Sequence, residues 1–332
     1  MSAAPIKNAC WTVTNGTAGM ENQALGLAER LSFPIVAKRI RLNWPWNKLA
    51  PFSLGAPFSR LAAGSDLIAP PWPRIAIGVG RESIPLMRAI KAASGGGTLL
   101  VQCQDPRVPL TQFDLVIPPE HDGVSGPNVF PILGSPNRIT AQKLAAMRTR
   151  FADRFQLLRA PRLAVLIGGK SKAYRFNSVA VENLTQALVE LSKTMGLMIT
   201  ASRRTGEENV ARITSALEGR GAYIWNGEGE NPYLGVLGWA DAFLVTADSV
   251  NMACDAAVTG KPVHIFPLPG GSAKFDRFHQ SLMTRGISRP FKGRIAQWDY
   301  VPLDETGRAA KRIAELLDVC ANATDMKVGA SD

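Results

Sequence analysis

The chain has 332 residues, of which 46% are hydrophobic and 20% charged, and its formal net charge is +11. This composition is typical of a globular protein with room for two domains of about 150 residues, and it excludes wholesale disorder. No apolar run approaches the roughly 20 residues that a membrane-spanning helix needs. Cys10, Cys103, Cys254 and Cys320 show no C-x-x-C spacing, which argues against structural zinc and favours a reducing compartment.

The positive charge lies mainly in the first half of the chain. Residues 1–150 contain 16 Lys and Arg against 8 Asp and Glu, a net of +8, whereas the remainder contains 22 against 19, a net of +3. A basic half suggests an anionic partner, although a merely soluble basic protein would look the same. The basic residues neither cluster on one helix nor interleave with aromatic residues, so we expect no nucleic-acid partner.

Short apolar segments alternate with amphipathic ones along nearly the whole chain, a pattern typical of βα units. In the first half we predict strands over 9–13, 35–39, 74–77, 98–102, 115–117 and 129–131, and helices over 21–31, 84–93 and 139–158. In the second half we predict strands over 162–167, 197–201, 222–225, 242–246 and 263–267. The helices predicted there cover 179–193, 207–217, 233–239, a segment opening near 249, and 305–320.

This alternation starts twice and predicts an α/β protein with two Rossmann-like, doubly wound domains facing a cleft. The first domain would cover 1–158 and the second 159–304, because a long basic helix ends near the proline at 161. A C-terminal helix over 305–321 would pack towards the first domain, and 322–332 would form a tail.

The segment from Asn43 to Pro73 interrupts the alternation with many prolines and aromatic residues, and it includes Lys48 and Arg60. Loops of this length are often functional. Trp beside Lys or Arg is found at membrane interfaces and in grooves that bind apolar substrates. The alternative is that the segment packs its aromatic rings on its own domain.

Thr246 to Pro269 contains the most informative motif, TADSVNMACDAAVTGKPVHIFPLP. A strand ends at Thr246, a helix opens near Ser249, and Asp255 lies about two turns into that helix. A helix N-terminus at the carboxyl end of a parallel strand presents N–H groups and a positive dipole to an anion. An acid further along the helix can bind two hydroxyls of a ribose.

Three other loops follow predicted strands and contain glycine or cationic residues. Gly168, Gly169, Lys170 and Ser171 only loosely match a phosphate loop, because the residues before them belong to a strand, and we expect them to line a diphosphate. Arg203 and Arg204 suit charge-assisted phosphate binding. Gly270 and Gly271 open a last loop whose polar residues could meet a sugar; these are Lys274, Phe275, His279 and Gln280.

In the first domain, Gly16 and Gly19 follow the first strand at a G-x-x-G spacing that is not the dinucleotide fingerprint. We expect them to face the cleft. His121 stands beside Asp122, which can hold its tautomer and raise its basicity. The three histidines are scattered along the chain, so we expect no metal site.

Together these motifs resemble a family of bacterial and plant proteins named for the plant elongated-mitochondria fission factor. The resemblance covers nearly the whole chain and rests on the following segments: WTVTNGTAGMENQALGLAERL, VQCQDPR, FDLVIPPEHD, IGGKSKAYRF, TASRRT, NPYLGVLGWADAFLVTADSVNMACDAAVTGKPVHIF and KFDRFHQSL. The family resembles a branch of the GT-B superfamily. It is distantly similar to the glycosyltransferase that adds N-acetylglucosamine to the lipid-linked peptidoglycan precursor.

The resemblance implies roles for individual residues. The turn containing Asp248, Ser249 and Asn251 would meet a nucleotide-sugar diphosphate, Asp255 would replace the usual glutamate on the ribose, and 275–280 would face the sugar. The first glycine loop of the lipid-precursor enzyme ends in a histidine where this chain has Met20. As catalytic base in its place we consider Glu21 and His121.

The expected function is therefore that of a metal-independent glycosyltransferase that uses a nucleotide sugar as substrate and no cofactor. The first domain would bind a lipid-linked or otherwise anionic acceptor. We expect the protein in the cytoplasm, in contact with an anionic membrane surface on the inner face or free of it. The alternatives are a non-enzymatic membrane-surface adaptor, of the kind ascribed to the plant members, with a protein partner, and a nucleotide-sugar epimerase or hydrolase. A shared fold does not decide between them.

Overall fold

The structure, a computed structural model, describes residues 6–52 and 57–328, with the backbone alone at Ile6 and from 320 to 328. The chain divides into two units. The first unit comprises the residues up to Arg138 together with those from Asp304 onward, and the second comprises Ile139–Leu303. Residues 53–56 of the proline-rich segment and the last four residues of the predicted tail lie outside the described part.

The first unit begins with a five-stranded parallel sheet in the order β2-β1-β3-β4-β5. Its elements up to Arg138 are β1 (Ile6–Thr14), α1 (Ala18–Ala28), β2 (Ile35–Arg39), α2 (Trp46–Leu49), β3 (Trp72–Val79), α3 (Ser83–Ala93), β4 (Leu99–Cys103) and β5 (Leu115–Ile117). The predicted strand at 129–131 forms only single bridges, from Val129 to Val116 and from Ile132 to Pro119.

The second unit contains a six-stranded sheet, also parallel throughout, in the order β11-β10-β9-β6-β7-β8. Its first elements are α4 (Ala141–Arg150), α5 (Ala152–Phe155), β6 (Arg162–Ile167), α6 (Ser178–Ser192), β7 (Gly196–Ala201), α7 (Glu207–Ala216) and β8 (Tyr223–Ile224). They are followed by α8 (Tyr233–Trp239), β9 (Ala242–Thr246), α9 (Val250–Ala257), β10 (Val263–Phe266), α10 (Ala273–Thr284) and β11 (Ser288–Pro290). The chain then returns to the first unit with α11 (Glu305–Val328).

Both faces of the central strands are buried, which explains why they read as continuous apolar runs. One face of the first sheet is covered by α1 and α11, with Leu27 and Ile313 fully buried among the strand residues. The other face packs against α3, and the strands contribute Trp11 and Trp72 to the core on that side. The predicted α/β fold with two Rossmann-like sheets is confirmed.

The division between the units falls at Arg138–Ile139 rather than at the predicted 158–159. The helical segment between these positions packs on the second unit, because Leu144 and Arg148 of α4 approach Gly238 of α8 closely. Phe155 is fully buried and contacts Tyr223 edge-to-face at 5.0 Å. The predicted single helix is also interrupted at Phe151, between α4 and α5.

The proline-rich segment packs partly on its own unit. Phe58 stacks on Trp72 with ring centroids 5.9 Å apart, and Arg60 lies 3.4 Å from the ring centre of Trp46. Other apolar side chains of the segment are exposed: Trp44 by 79%, Leu49 by 50%, Phe52 by 67% and Leu67 by 77%. The segment therefore contributes to the core of the first unit and also has an exposed apolar surface.

Candidate functional site

The second sheet has its topological switch point between β6 and β9. The chain continues from β6 to β7 on one side, while β9 continues to β10 and β11 on the other. Ligands of doubly wound sheets bind in the crevice at the carboxyl ends of such strands. The structure brings three predicted loops together there, those that follow β6, β7 and β9.

The Asp248 carboxylate is the centre of this group, and its side chain is fully buried. Its oxygens accept hydrogen bonds from the Gly169 N–H at 2.9 Å and the Thr246 hydroxyl at 2.7 Å. Arg204 pairs with it at 2.8 Å. A buried carboxylate needs such partners. Asp248 therefore binds the three loops to one another, a different role from the predicted contact with a diphosphate.

Gly168 and Gly169 allow this close approach. A Cβ atom on Gly168 would lie 2.3 Å from both carboxylate oxygens of Asp248, and one on Gly169 would lie 2.3 Å from the Arg204 carbonyl oxygen. The N–H of Gly168 donates to the Thr246 hydroxyl at 2.8 Å. Because both glycine N–H groups have partners within the protein, these residues support the loops and are not free to donate to a phosphate.

Two further predicted phosphate residues also have internal partners. Besides its ion pair with Asp248, Arg204 donates to the Lys170 carbonyl oxygen at 3.4 Å. The Ser171 hydroxyl accepts from the backbone N–H of Tyr174 at 3.0 Å and thereby closes a tight turn.

The side chains of Lys170 and Arg203, in contrast, are exposed and have no hydrogen-bond or ion-pair partner among the described residues. They lie in the loops after β6 and β7, each next in sequence to a residue that contacts the Asp248 carboxylate, Gly169 and Arg204 respectively. These two cations are the ones available to an incoming anion.

Helix α9 begins as predicted next to the Asp248 group. Ser249 is its N-cap and accepts from the Met252 N–H at 3.4 Å, and Asn251 is exposed in the first turn. The N–H groups of that first turn have no carbonyl partner within the helix. The start of α9 therefore adds a positive dipole end at the switch point.

Asp255 is half-buried on α9 and accepts a hydrogen bond from the Tyr233 hydroxyl at 2.9 Å. Burial raises the pKa of the Asp255 carboxyl to about 7, against the opposing effect of that hydrogen bond. Burial, with the nearby Asp255 charge, raises the pKa of Tyr233 well above its usual value. The phenol therefore keeps its proton and acts as the donor.

The loop after β10 pairs with the loop after β6. Gly270 forms an antiparallel bridge with Tyr174, and the Gly271 N–H donates to the Ala173 carbonyl at 2.8 Å. A Cβ on Gly270 would lie 2.3 Å from that carbonyl oxygen. Phe275 then packs edge-to-face on Tyr174 with ring centroids 4.9 Å apart. The two glycines thus allow backbone pairing between two loops of the site.

His279 lies on α10 with Lys274, Phe275 and Gln280, a helix that the sequence analysis did not predict. Burial lowers the pKa of His279, so its ring is neutral. Its Nε2–H must donate to the Ala247 carbonyl at 2.9 Å, because a carbonyl can only accept. Its Nδ1 is buried without a partner among the described residues.

The unpartnered Nδ1 belongs to a residue that lines a cavity of about 210 Å³, together with Tyr174, Gly270, Met283 and Ser288. The Ser288 hydroxyl oxygen is likewise buried without a partner in the described part of the chain. The cavity therefore combines apolar walls with two residues whose polar atoms are unsatisfied. Gln280 is exposed on the same helix and donates to Thr284 at 3.2 Å.

The two predicted catalytic residues lie in the first unit, where Gly16 and Gly19 also occur. Glu21, in the first turn of α1, accepts a hydrogen bond from Arg39 Nε at 2.5 Å. His121 is only 4% exposed, with its Nε2 at 3.9 Å from Asp122 Oδ1. Burial leaves His121 little access to a substrate, whereas Glu21 is within reach of solvent. Gly16 has a φ of +79°, and Gly19 has open space where a Cβ would be.

Sequence analysis missed Tyr174, Tyr233 and Ser288. Tyr233 lies 22 positions before Asp255, so no short sequence motif links the two residues. The sequence indicated only that Tyr233 stands at the start of a predicted helix. Among the described residues, no three His, Cys, Asp or Glu side chains are grouped as a metal site. No described helix is long and apolar enough to span a bilayer.

Comparison with known sequences finds a match over residues 18–317 to the family described as Mitochondrial fission ELM1. The mitochondrial fission protein ELM1 of Arabidopsis thaliana is 33% identical over 270 residues. These cover 73% of this chain but 63% of the plant protein, so the chain spans less than two thirds of that relative.

Among solved structures, the UDP-GlcNAc 2-epimerase of Methanocaldococcus jannaschii superposes with a TM-score of 0.55 at 11% identity, covering 92% of this chain and 99% of the other. The UDP-GlcNAc 2-epimerase of Neisseria meningitidis, solved with UDP-GlcNAc bound, gives a TM-score of 0.51 at 14% identity, with coverages of 93% and 99%. These likenesses establish a GT-B-like fold and, at such low identity, the fold alone.

Proposed function

This chain belongs to the mitochondrial fission ELM1 family, and we propose that it is a metal-independent glycosyltransferase whose second unit binds a nucleotide-sugar donor. The observation that carries the proposal is the switch point of the second sheet. There, Lys170 and Arg203 are exposed cations without partners in the described part of the chain, and helix α9 begins beside them. Such a group of positive charges suits a diphosphate.

The remaining donor contacts follow from the same elements. Asp255, when ionised, accepts hydrogen bonds from the two ribose hydroxyls, while Tyr233 holds its other oxygen. The cavity beside His279 and Ser288 takes part of the donor, with the neutral His279 Nδ1 as an acceptor for a sugar hydroxyl. Phe275 and the loop at Gly270 form the walls of the sugar-binding part of this site.

In the proposed reaction, an acceptor hydroxyl attacks the anomeric carbon of the sugar and the nucleoside diphosphate leaves. The hydroxyl proton passes to a general base, for which we favour Glu21 over His121 because the Glu21 side chain is more accessible to solvent. Lys170, Arg203 and the N-terminus of α9 stabilise the negative charge of the leaving diphosphate. The acceptor we propose is a lipid-linked or otherwise anionic molecule.

The test is a thermal-shift screen of the purified protein against nucleoside diphosphates and nucleotide sugars, including UDP-N-acetylglucosamine. A ligand at about 100 times its Kd should add roughly 2.7 kcal/mol of stability. We expect Lys170→Gln to lose the shift. Lys261→Gln is the matched control, because Lys261 is also exposed without a side-chain partner in the described residues but precedes β10 at the amino edge of the sheet.

A shift that both variants keep, or the absence of any shift in folded protein, contradicts a donor site at the switch point. Consumption of the nucleotide sugar without any acceptor would instead indicate an epimerase or hydrolase.

A non-enzymatic role at a membrane surface is the second candidate, and the exposed Trp44, Leu49 and Phe52 favour it. It predicts that replacing these three by Ser abolishes binding to anionic vesicles, while Lys170→Gln has no effect on the function of the protein in cells.

A further inference from the structure

The first unit contains a cavity of about 690 Å³ that the proposed donor site does not use. It is lined by residues that follow β1, β3 and β4, among them Asn15, Arg81 and Arg107, and by Lys48 and Phe52 of the proline-rich segment. The first sheet has the order β2-β1-β3-β4-β5, so its switch point lies between β1 and β3. The cavity therefore occupies the position in this sheet where doubly wound folds bind ligands.

The charges that line the cavity are not balanced among themselves. Lys48, Arg81 and Arg107 are exposed, and none has a hydrogen-bond or ion-pair partner for its side chain among the described residues. The two acids of the lining have partners on the backbone. Glu82 accepts from the Leu42 N–H at 3.0 Å, and Asp105 accepts from the Arg107 N–H at 2.9 Å.

The backbone of one wall is held in an unusual conformation. Gln104 and Arg107 are the described non-glycine residues with positive φ, at 69° and 56°, and both line the cavity. This conformation is strained for a residue with a side chain, and such residues concentrate at ligand sites. A hydrogen bond of 3.0 Å from Gln104 to Gln23 fixes the first of them. The loop thus presents Arg107 to the cavity at the expense of backbone strain.

The cavity lining combines a buried polar side chain with an exposed apolar one. Gln102 is 1% exposed, lines the cavity and has a buried carboxamide oxygen without a partner in the described part of the chain. Phe52, which lines the cavity and forms its apolar rim, is 67% exposed. Leu49, outside the lining but next to Lys48 in sequence, is 50% exposed. A ligand that matches these features has an anionic group for the cations and an apolar or neutral remainder for the rim.

We propose that this cavity binds the phosphate group of a phosphate-ester ligand, held by Lys48, Arg81 and Arg107. Arginine forks suit phosphate oxygens, and lysine adds a point charge. The same chemistry is offered by a soluble phosphate ester and by the phosphomonoester headgroup of a lipid whose chains lie against Phe52. The site lies within the first unit and does not depend on nucleotide-sugar binding by the second.

The test uses the full chain with Lys170→Gln and Arg203→Gln in place, so that the second unit does not contribute to anion binding. Inorganic pyrophosphate is titrated calorimetrically into this background. Adding Arg81→Gln and Arg107→Gln should weaken binding by roughly tenfold or more, because each removes a charge-assisted contact. The matched control adds Arg74→Gln and Arg88→Gln, which make the same change of charge in β3 and α3 outside the cavity lining.

A second arm measures co-sedimentation with phosphatidylcholine vesicles that contain phosphatidic acid. If the control protein co-sediments with these vesicles and the cavity variant does not, the site binds a lipid headgroup. If the protein binds pyrophosphate but does not co-sediment with the vesicles, the site binds a soluble ester. If neither probe binds, or if the cavity variant and the control bind equally, the proposal is overturned. Circular dichroism of each variant shows whether it is folded; both replaced cavity arginines are exposed and partner-free among the described residues.

Discussion

At the scale of single residues, Asp255 combines a raised pKa with a position on the helix that begins at the switch point. Burial raises the pKa of its carboxyl from the ordinary value of 3.8 to about 7. An acid whose folded-state pKa is raised is protonated in the folded protein at a pH where the unfolded chain has already lost the proton. The folded state therefore loses stability as the pH rises from about 4 to about 7, and the loss is complete above that.

We predict that replacing Asp255 by Asn removes this part of the pH dependence. The free energy of unfolding of the variant should exceed that of the wild type at pH 8 by up to about 4 kcal/mol, and the two should converge near pH 4. Urea unfolding at several pH values measures the difference. A constant difference between the two proteins over this range would contradict a raised pKa at Asp255.

The same titration affects binding in the opposite direction. If the ionised carboxylate accepts the ribose hydroxyls, affinity for the donor should rise as the pH passes through 7, and Asp255→Asn should bind weakly at every pH. Stability and affinity would then depend on one proton with opposite signs, as expected for a functional residue that is unfavourable to the fold.

At the scale of elements, the loop after β6 is predicted to tolerate no side chain at Gly168. Gly168→Ala should lower the free energy of unfolding by about 1–3 kcal/mol, because its Cβ would lie 2.3 Å from the Asp248 oxygens. Gly19→Ala is the control. That position lies within α1 and has nothing within 4 Å of an added Cβ, so alanine should stabilise by roughly 0.5–1 kcal/mol.

Thermal and urea unfolding of both variants measure these changes. Equal effects would contradict the distinction between the two glycines, which the sequence alone did not make. In the sequence both follow a predicted strand in a glycine-containing segment; the structure places Gly19 in helix α1 with open space around it and Gly168 against the Asp248 carboxylate.

Most strands could be predicted from sequence because they are short apolar runs that end at polar or glycine residues. The segments 162–167 and 242–246 were predicted with the bounds that the structure shows. Helix α10 was not predicted, although Phe275, Phe278 and Leu282 recur at helical spacing. The preceding Gly270 and Gly271 favoured a loop, and its polar residues concealed the apolar face.

The candidate site was predictable only to the level of loops. The three loops at the switch point follow strands whose order is fixed by topology, so their meeting could be expected. The sequence could not predict which side chains of these loops remain free for a ligand, because their hydrogen-bond and ion-pair partners are distant in sequence. Asp248 pairs with Arg204, and this leaves Arg203 rather than Arg204 for a ligand. The ligand contacts themselves stay predictions until a nucleotide is bound.

At the scale of the whole molecule, the second unit is one continuous segment, whereas the first is completed by α11. Ala309, Ile313 and Leu317 of that helix are buried in the core of the first unit. Glu305, also buried, accepts from the Leu133 N–H at 2.9 Å. The first unit therefore depends on residues that follow the second.

We predict that residues 139–303 expressed alone fold cooperatively and bind the same nucleotide as the full chain. A fragment of residues 1–138 should instead lack a cooperative transition, because its sheet misses the buried face of α11. Thermal unfolding followed by circular dichroism distinguishes the two fragments. A cooperative transition for 1–138 together with none for 139–303 would contradict the division at Arg138.

The return of the chain to its first unit has a consequence for synthesis on the ribosome. The residues that contact Ile313 are synthesised early, because they belong to the first 138 residues. Helix α11 is translated only after the 165 residues of the second unit, 139–303. At about 5–20 residues per second this interval lasts roughly 10–30 s. During this interval the apolar surface of the nascent first unit that α11 later covers is exposed to solvent, and we expect chaperones to bind it. The second unit can fold in the same interval.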